Sequence, residues 1–390
     1  MKYIVVIGDG MADYPIEELG GKTPLQVANK PNMDEIARKG KCGLLTTIPE
    51  GMNAGSDTAN LSILGYDPRK YYTGRGPLEA ASIGVELGKS DIAFRCNLIT
   101  EKDGFIADYC ADHITTNEAR ELILALDEKL DVGKFYPGVS YRHLFVLPDG
   151  GNVICTPPHD VIGEEIKKHM IKPSNNPVAK TLNGMTIESK EVLARHPVNK
   201  KRESVGKNPA NMIWLWGQGK RPDMPTLKEK YDISGAVISA VDLIKGIGAY
   251  AGMEVVDVPG ATGYYDTNYR GKAVHALKAL EEVDYVYLHV ESIDEASHAG
   301  DLEMKIKTIE EFDEKVLGTL LDSGSEFTIA VLPDHLTPIK TKTHAPEPVP
   351  FAVCSPGDGG DGIKFDENSC KNGSVGKLEG EEFMRFLLRH

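Results

Sequence analysis

Six residues of this chain have the types and placing that suit metal ions. Asp9 follows the apolar run 3–7, Asp294 and His298 follow the run 285–290, and Asp334 with His335 follows 327–332. His344 stands a few residues on, ahead of a fourth apolar run at 351–354. Ligands of open α/β sheets bind at the carboxyl ends of the strands. Three separate segments therefore deliver carboxylates and imidazoles to one sheet edge. A mixture of Asp and His suits Zn²⁺ or Mn²⁺, whereas Mg²⁺ favours shells of oxygen alone. Three Asp and three His exceed the needs of one tetrahedral ion. With a hydroxyl added, they fit two ions about 4 Å apart, which clamp both oxygens of an in-line phosphoryl displacement. Singly, each has a blander explanation. Asp9 between two glycines is a turn residue, and Asp294 with His298, spaced i and i+4, is an ordinary helix-surface pair. The case rests on their joint position after strands.

Ser56 is the candidate nucleophile. It lies in Gly55-Ser56-Asp57-Thr58, just ahead of the apolar run 59–64 that Gly65 closes. A serine at a helix start commonly caps backbone N–H groups, and that is its structural alternative. The same place suits a phosphate, because free N–H groups and the helix dipole favour an anion. A serine hydroxyl is a weak nucleophile until a base or a metal lowers its pKa.

These residues need a frame. The four apolar runs read as buried strands, and helix-period segments at 271–282 and 304–321 fall between them. Alternating strands and helices predict an α/β fold with a mostly parallel sheet. Residues 78–225 read differently, with many turn signals and a Thr115-Thr116-Asn117-Glu118 capping box that predicts a helix toward Leu130. We read 1–77 with 226–390 as the metal-binding domain, and 78–225 as a smaller inserted α+β domain.

Length and composition agree. A chain of 390 residues has room for two domains. A net charge of −14 argues against nucleic acid as a partner, though a local Arg cluster or a metal can still attract an anion. The six scattered cysteines form no C-x-x-C pair, which predicts reduced thiols rather than a disulfide frame. No apolar run approaches the ~18 residues of a membrane span, so the chain is expected to be cytoplasmic. The sequence fixes no oligomeric state.

Taken in order, Ile7-Gly8-Asp9-Gly10-Met11, Gly55-Ser56-Asp57-Thr58, Asp294-Glu295-Ala296-Ser297-His298, Asp334-His335 and Thr343-His344 resemble the alkaline phosphatase superfamily. More narrowly, they resemble the archaeal-type cofactor-independent phosphoglycerate mutases. The likeness extends through Tyr72-Thr73-Gly74-Arg75-Gly76-Pro77 and Ala93-Phe94-Arg95-Cys96-Asn97. It implies an alkaline-phosphatase-like sheet with helices on both faces, and a phosphoserine intermediate on Ser56. One ion would be held by Asp294, His298 and His344, the other by Asp9, Ser56, Asp334 and His335. The ions would be Mn²⁺ or Zn²⁺, with Mg²⁺ or Co²⁺ as further options. The substrate would be a small phosphorylated carboxylate, held by Arg95, His113, Arg142, Arg202 and Lys245, with the inserted domain as a cap. The chain departs from the archaeal pattern at 110–113 and 214–217. It also resembles a bacterial branch proposed to act as a homoserine kinase, which stands as the alternative, with a phosphatase of the same superfamily next. No G-x-x-x-x-G-K-[ST] loop supports nucleotide binding.

Overall fold

The segment Tyr3–Gly8 is buried at every residue, the pattern of a strand covered on both faces. It forms β1 in a computed structural model that describes residues 1–357 and 359–390. The chain divides into two compact units, Met1–Tyr72 with Asp223–His390, and Thr73–Pro222. The second unit starts at Thr73, ahead of Leu78, because the helix Arg75–Ser82 packs on strands of that unit.

The first unit opens with β1 (Tyr3–Gly8) and β2 (Lys41–Thr46). The second unit contributes β3 (Ile92–Lys102), β4 (Phe105–Asp108), β5 (Lys134–Val139), β6 (Arg142–Leu147) and β7 (Met212–Lys220). The first unit then resumes with β8 (Gly235–Ile238), β9 (Glu254–Val255) and β10 (Tyr285–Val290). It ends with β11 (Thr328–Leu332), β12 (Val349–Cys354) and β13 (Gly376–Glu379).

The first unit is built on one sheet of order β13-β2-β12-β11-β1-β10-β8-β9. Pairing is parallel from β11 through β1, β10 and β8 to β9, while β12 runs antiparallel to both β11 and β2. The sheet is thus mostly parallel. The register sets Ile7 beside both Leu332 and His289, so β11, β1 and β10 end nearly level. The helical stretch expected over 304–321 is interrupted. Leu302–Phe312 is α-helical, Asp313–Leu317 is a π-turn, and Gly318–Leu321 completes the helix. The widened turn places the buried Asp313 carboxylate where it accepts from the backbone N–H groups of Asn32 and Met33. No helix among the described residues is long and apolar enough to cross a membrane.

In the second unit β3 pairs antiparallel with β4, β6 and β7. Successive residues of a strand point to opposite faces. Phe94, Cys96 and Leu98 enter the core shared with the helices Thr116–Lys129 and Pro177–Ala194. Arg95 and Asn97 take the other face. The helix Thr116–Lys129 begins with the reciprocal Thr115–Glu118 capping box. Arg202 departs from its expected place among substrate contacts. It is 1% exposed, and its guanidinium bonds Glu118 at 2.9 Å, the Ala111 carbonyl at 2.6 Å and the Asn208 carbonyl at 3.0 Å. Arg202 is a clamp within the fold.

Replacing Arg202 with Met strands these acceptors, and removing one partner of a buried pair costs about 3–5 kcal/mol. Urea unfolding followed by circular dichroism is expected to show a loss of about 3 kcal/mol, towards the low end because Glu118 is partly exposed. A loss below about 1 kcal/mol, the worth of an exposed pair, would contradict the clamp.

Candidate metal centre and active site

Asp9 directly follows β1, Asp294 and His298 lie on the helix Ser292–Ala299 after β10, and Asp334 and His335 follow β11. Because β11, β1 and β10 are neighbours, these side chains converge. Asp294 Oδ2 lies 3.0 Å from His298 Nε2 and 3.6 Å from His344 Nε2, and the two imidazole nitrogens are 3.0 Å apart. Nearby, His335 Nε2 lies 3.1 Å from Ser56 Oγ and 3.5 Å from both Asp9 Oδ1 and Asp334 Oδ2. The His335 and His344 rings, 4.1 Å apart, join the two groups. All seven residues expected at the metal centre meet here.

The surroundings aim the nitrogens inward. His298 Nδ1 lies 2.9 Å from the Lys342 carbonyl, an acceptor only, so Nδ1 carries the proton and Nε2 keeps its lone pair when the ring is neutral. Thr337 Oγ1 donates to Asp294 Oδ1 at 2.5 Å and lies 3.1 Å from His335 Nδ1, whose N–H it can accept. Asn60 donates to the Ser56 carbonyl at 2.7 Å and to Asp334 Oδ2 at 2.9 Å, while Tyr287 donates to the Asn60 carbonyl oxygen. Gly10 is confined to glycine. Its φ is +62°, and a Cβ there would collide with Asp294 Oδ1 and Thr337 Oγ1.

Three carboxylates, Asp9, Asp294 and Asp334, are each 5% exposed or less. Burial, reinforced by Asp334, Asp294 and Glu291, pushes Asp9 well above the usual carboxylate range. Burial would raise Asp294 as well, but hydrogen bonds from His298 and His344 hold it well below. His298 rises to about 9, chiefly through its bond to Asp294. Asp9 Oδ1 is buried with no hydrogen-bond partner. Unpaired buried carboxylates are costly. The unpartnered oxygen, the crowded carboxylates and the inward nitrogens fit divalent cations held by mixed N and O donors.

Ser56 is the first residue of the helix Ser56–Ile63 and is half-buried. The N-cap of that helix is Gly55, so Ser56 is not the capping residue. Its hydroxyl instead lies within hydrogen-bond distance of His335 Nε2.

The remaining expected residues are dispersed. Arg95 forms a 3.0 Å ion pair with Glu79 and stacks 4.8 Å over Trp216, while its Nε is buried without a partner. Arg75 lies 5.8 Å from the same indole and His159 5.2 Å. Burial and the Arg142 and Arg75 charges lower the Arg95 pKa, against the pull of Glu79. His113 and Arg142 are exposed and flank Tyr141 at 6.1 and 5.9 Å. Lys245 belongs to the first unit and pairs with Asp257 at 2.7 Å. Sequence reasoning missed Asn60, Thr337, His289, Arg75 and Trp216. Asn60 was findable as the i+4 neighbour of Ser56, whereas a histidine inside a strand gave no signal.

Comparison with known proteins adds to this geometry. A family model described as 2,3-bisphosphoglycerate-independent phosphoglycerate mutase matches residues 37–199. A protein of Methanothermobacter thermautotrophicus named "2,3-bisphosphoglycerate-independent phosphoglycerate mutase 2" is 57% identical, covering 100% of this chain and 97% of its own length. The mutase of the same name, without the numeral, from Methanothrix thermoacetophila is 53% identical over 100% of both chains. Among solved structures, a cofactor-independent phosphoglycerate mutase from Thermoplasma acidophilum matches with a TM-score of 0.70 at 31% identity. That match covers 100% of this chain and 99% of the other. A protein from Pyrococcus horikoshii matches with a TM-score of 0.86 at 32% identity, over 100% of this chain and 96% of the other.

A cation bound among these carboxylates stabilises the folded state alone. Mn²⁺ added to chelator-stripped protein at about 100 times its Kd is expected to add about 2.7 kcal/mol. Thermal unfolding with and without Mn²⁺ measures this as a rise in Tm. An unchanged Tm across a wide Mn²⁺ range would contradict the metal fit.

Proposed function

The chain belongs to the family of 2,3-bisphosphoglycerate-independent phosphoglycerate mutases, and on that premise we propose that it interconverts 3-phosphoglycerate and 2-phosphoglycerate through phosphorylated Ser56. The observation that carries this reading is the Ser56 hydroxyl, placed at a helix N-terminus and 3.1 Å from His335 beside Asp9 and Asp334.

We assign Asp294, His298 and His344 to one cation, and Asp9, Ser56, Asp334 and His335 to the other, with Mn²⁺ or Zn²⁺ as the ions. Bound cations would lower the serine pKa and neutralise charge on the phosphoryl oxygens. Ser56 Oγ attacks phosphorus, and the bond from phosphorus to the C3 oxygen of glycerate breaks. Glycerate then presents its C2 hydroxyl to phospho-Ser56, the new P–O bond forms, and Ser56 Oγ leaves. Ser56 opens the helix Ser56–Ile63, and the dipole at a helix N-terminus favours a phosphoryl anion. Asn60 holds Asp334 and the Ser56 carbonyl together, fixing the nucleophile against the carboxylate.

For the substrate carboxylate, we assign the cluster of Arg95, Arg142 and Arg75 in the second unit. Arg95 feels the charges of both Arg142 and Arg75, and Arg forks suit carboxylate geometry. His113 and Lys245 remain secondary candidates. Water must be kept from phospho-Ser56, since its hydrolysis would turn the mutase into a phosphatase.

Purified protein with 3-phosphoglycerate and Mn²⁺, without nucleotide, is expected to produce 2-phosphoglycerate. ATP-dependent phosphorylation of homoserine with no isomerisation would overturn this function. Ser56→Ala is expected to lower turnover by roughly 10⁴-fold or more, the scale of losing a nucleophile. Mass spectrometry under turnover should find phosphate on the Ser56 peptide, and near-normal turnover of the alanine variant would refute the phosphoserine route. Arg95→Ala is expected to raise KM about 10- to 100-fold, matching a lost charge-assisted bond of about 1.5–3 kcal/mol. More free phosphate should accompany it, as loosened glycerate escapes. An unchanged KM would remove Arg95 from the substrate site.

A further inference from the structure

One buried imidazole beside the metal centre has no task in the mechanism above. His289 lies on β10 and is 1% exposed. Its Nε2 is 3.1 Å from Asp9 Oδ2, at contact distance but without the alignment of a formed hydrogen bond. Its Nδ1 is 3.3 Å from Ser239 Oγ, and its main-chain carbonyl accepts from the buried Lys272 at 3.2 Å. Asp9, His289 and Asp334 each offer an atom to one small volume, which also fits a direct ligand role for the imidazole.

Ser239 is compatible with a positioning role. Its Oγ accepts the Val241 backbone N–H at 3.0 Å and keeps both a hydrogen that can point at His289 Nδ1 and a second lone pair that can accept from it. The donating arrangement is the one that serves Asp9. An Nδ1 that accepts leaves the neutral ring protonated on Nε2. A protonated nitrogen has no lone pair for a cation, but it can donate to a carboxylate. The carboxylate in reach is Asp9 Oδ2, while Asp9 Oδ1 is the buried oxygen with no partner.

Resting on the metal-dependent reading above, we propose that His289 is a positioning residue for Asp9: oriented by Ser239, it holds Oδ2 and so presents Oδ1 to the cation. Outer partners of this kind typically set metal affinity by 10- to 100-fold. The Lys272 bond to the His289 carbonyl fixes the strand position from which the ring reaches Asp9.

The test is calorimetric titration of chelator-stripped full-length protein with Mn²⁺, paired with the visible absorption spectrum of the Co²⁺ form. His289→Leu is expected to weaken one of the two binding events by about 10- to 100-fold. His289→Gln, whose amide N–H can replace Nε2–H, should restore most of that affinity. Ser239→Ala should weaken the same event by a smaller factor. Should His289→Leu fail to fold by circular dichroism, the Gln and Ser239 variants carry the test alone. Co²⁺ bands unchanged in His289→Gln support positioning, and shifted bands would make His289 a ligand and overturn the proposal. Wild-type affinity in both His289→Leu and Ser239→Ala would overturn it as well. Wild-type protein that binds no divalent cation is a separate result, because it removes the metal reading itself.

Discussion

Three buried carboxylates that cannot all stay charged without a counter-charge govern this molecule. Asp9, Asp294 and Asp334 sit at the ends of β1, β10 and β11, and water reaches almost none of their surface. Burial first, and then the like charges of Asp334, Asp294 and Glu291, push the Asp9 carboxyl well above the usual range. Imidazoles relieve part of the strain at Asp294 and Asp334. A divalent cation would relieve the rest. The adjacency of β11, β1 and β10 is therefore what makes the chemistry possible, and a parallel sheet with level strand ends is the means of creating it.

Such a site is only as good as its outer partners. Three of the inward-facing side chains are held by bonds made elsewhere on them: His298 to the Lys342 carbonyl, Asp294 to Thr337, and Asp334 to Asn60 and the Gly10 N–H. Thr337 is itself anchored, because the buried Lys305 bonds its carbonyl at 2.9 Å and pairs with Asp13 at 2.9 Å. Lys305 thus ties the segment after β1 to the segment after β11. Buried ion pairs are weak evidence for stability. Here the pair fixes the relative position of two ligand-bearing loops.

How much of this was legible in the sequence follows from the same physics. Asp9, Asp294, His298, Asp334 and His335 could be read as one candidate site because ligand types fell directly after apolar runs, and a parallel sheet sends such positions to one edge. Ser56 and His344 joined them through the family resemblance. Thr337 and His289 were not legible, because they act through bonds between segments far apart in the chain, and Asn60 showed only its local link to Ser56 and not its bond to Asp334. Amide, hydroxyl and imidazole groups at such positions look like ordinary turn, loop or strand residues. Arg202 misled for a related reason. An arginine in a charged helix carries no mark of whether its partner will be a ligand or, as here, Glu118 and two carbonyls. Arg75 and Trp216 lie far apart in sequence and meet only because β7 pairs with β3 beside the helix Arg75–Ser82.

The two units carry opposite electrostatic problems. The first collects negative charge, which divalent cations would relieve. The second brings Arg75 and Arg142 near the buried Arg95, with the indole of Trp216 beside Arg95 and Arg75. A buried guanidinium with an unpartnered Nε lacks an acceptor, and an exposed neighbour such as Arg142 is open to the same anion. Neither arrangement could be inferred from a net charge of −14, which describes the surface as a whole.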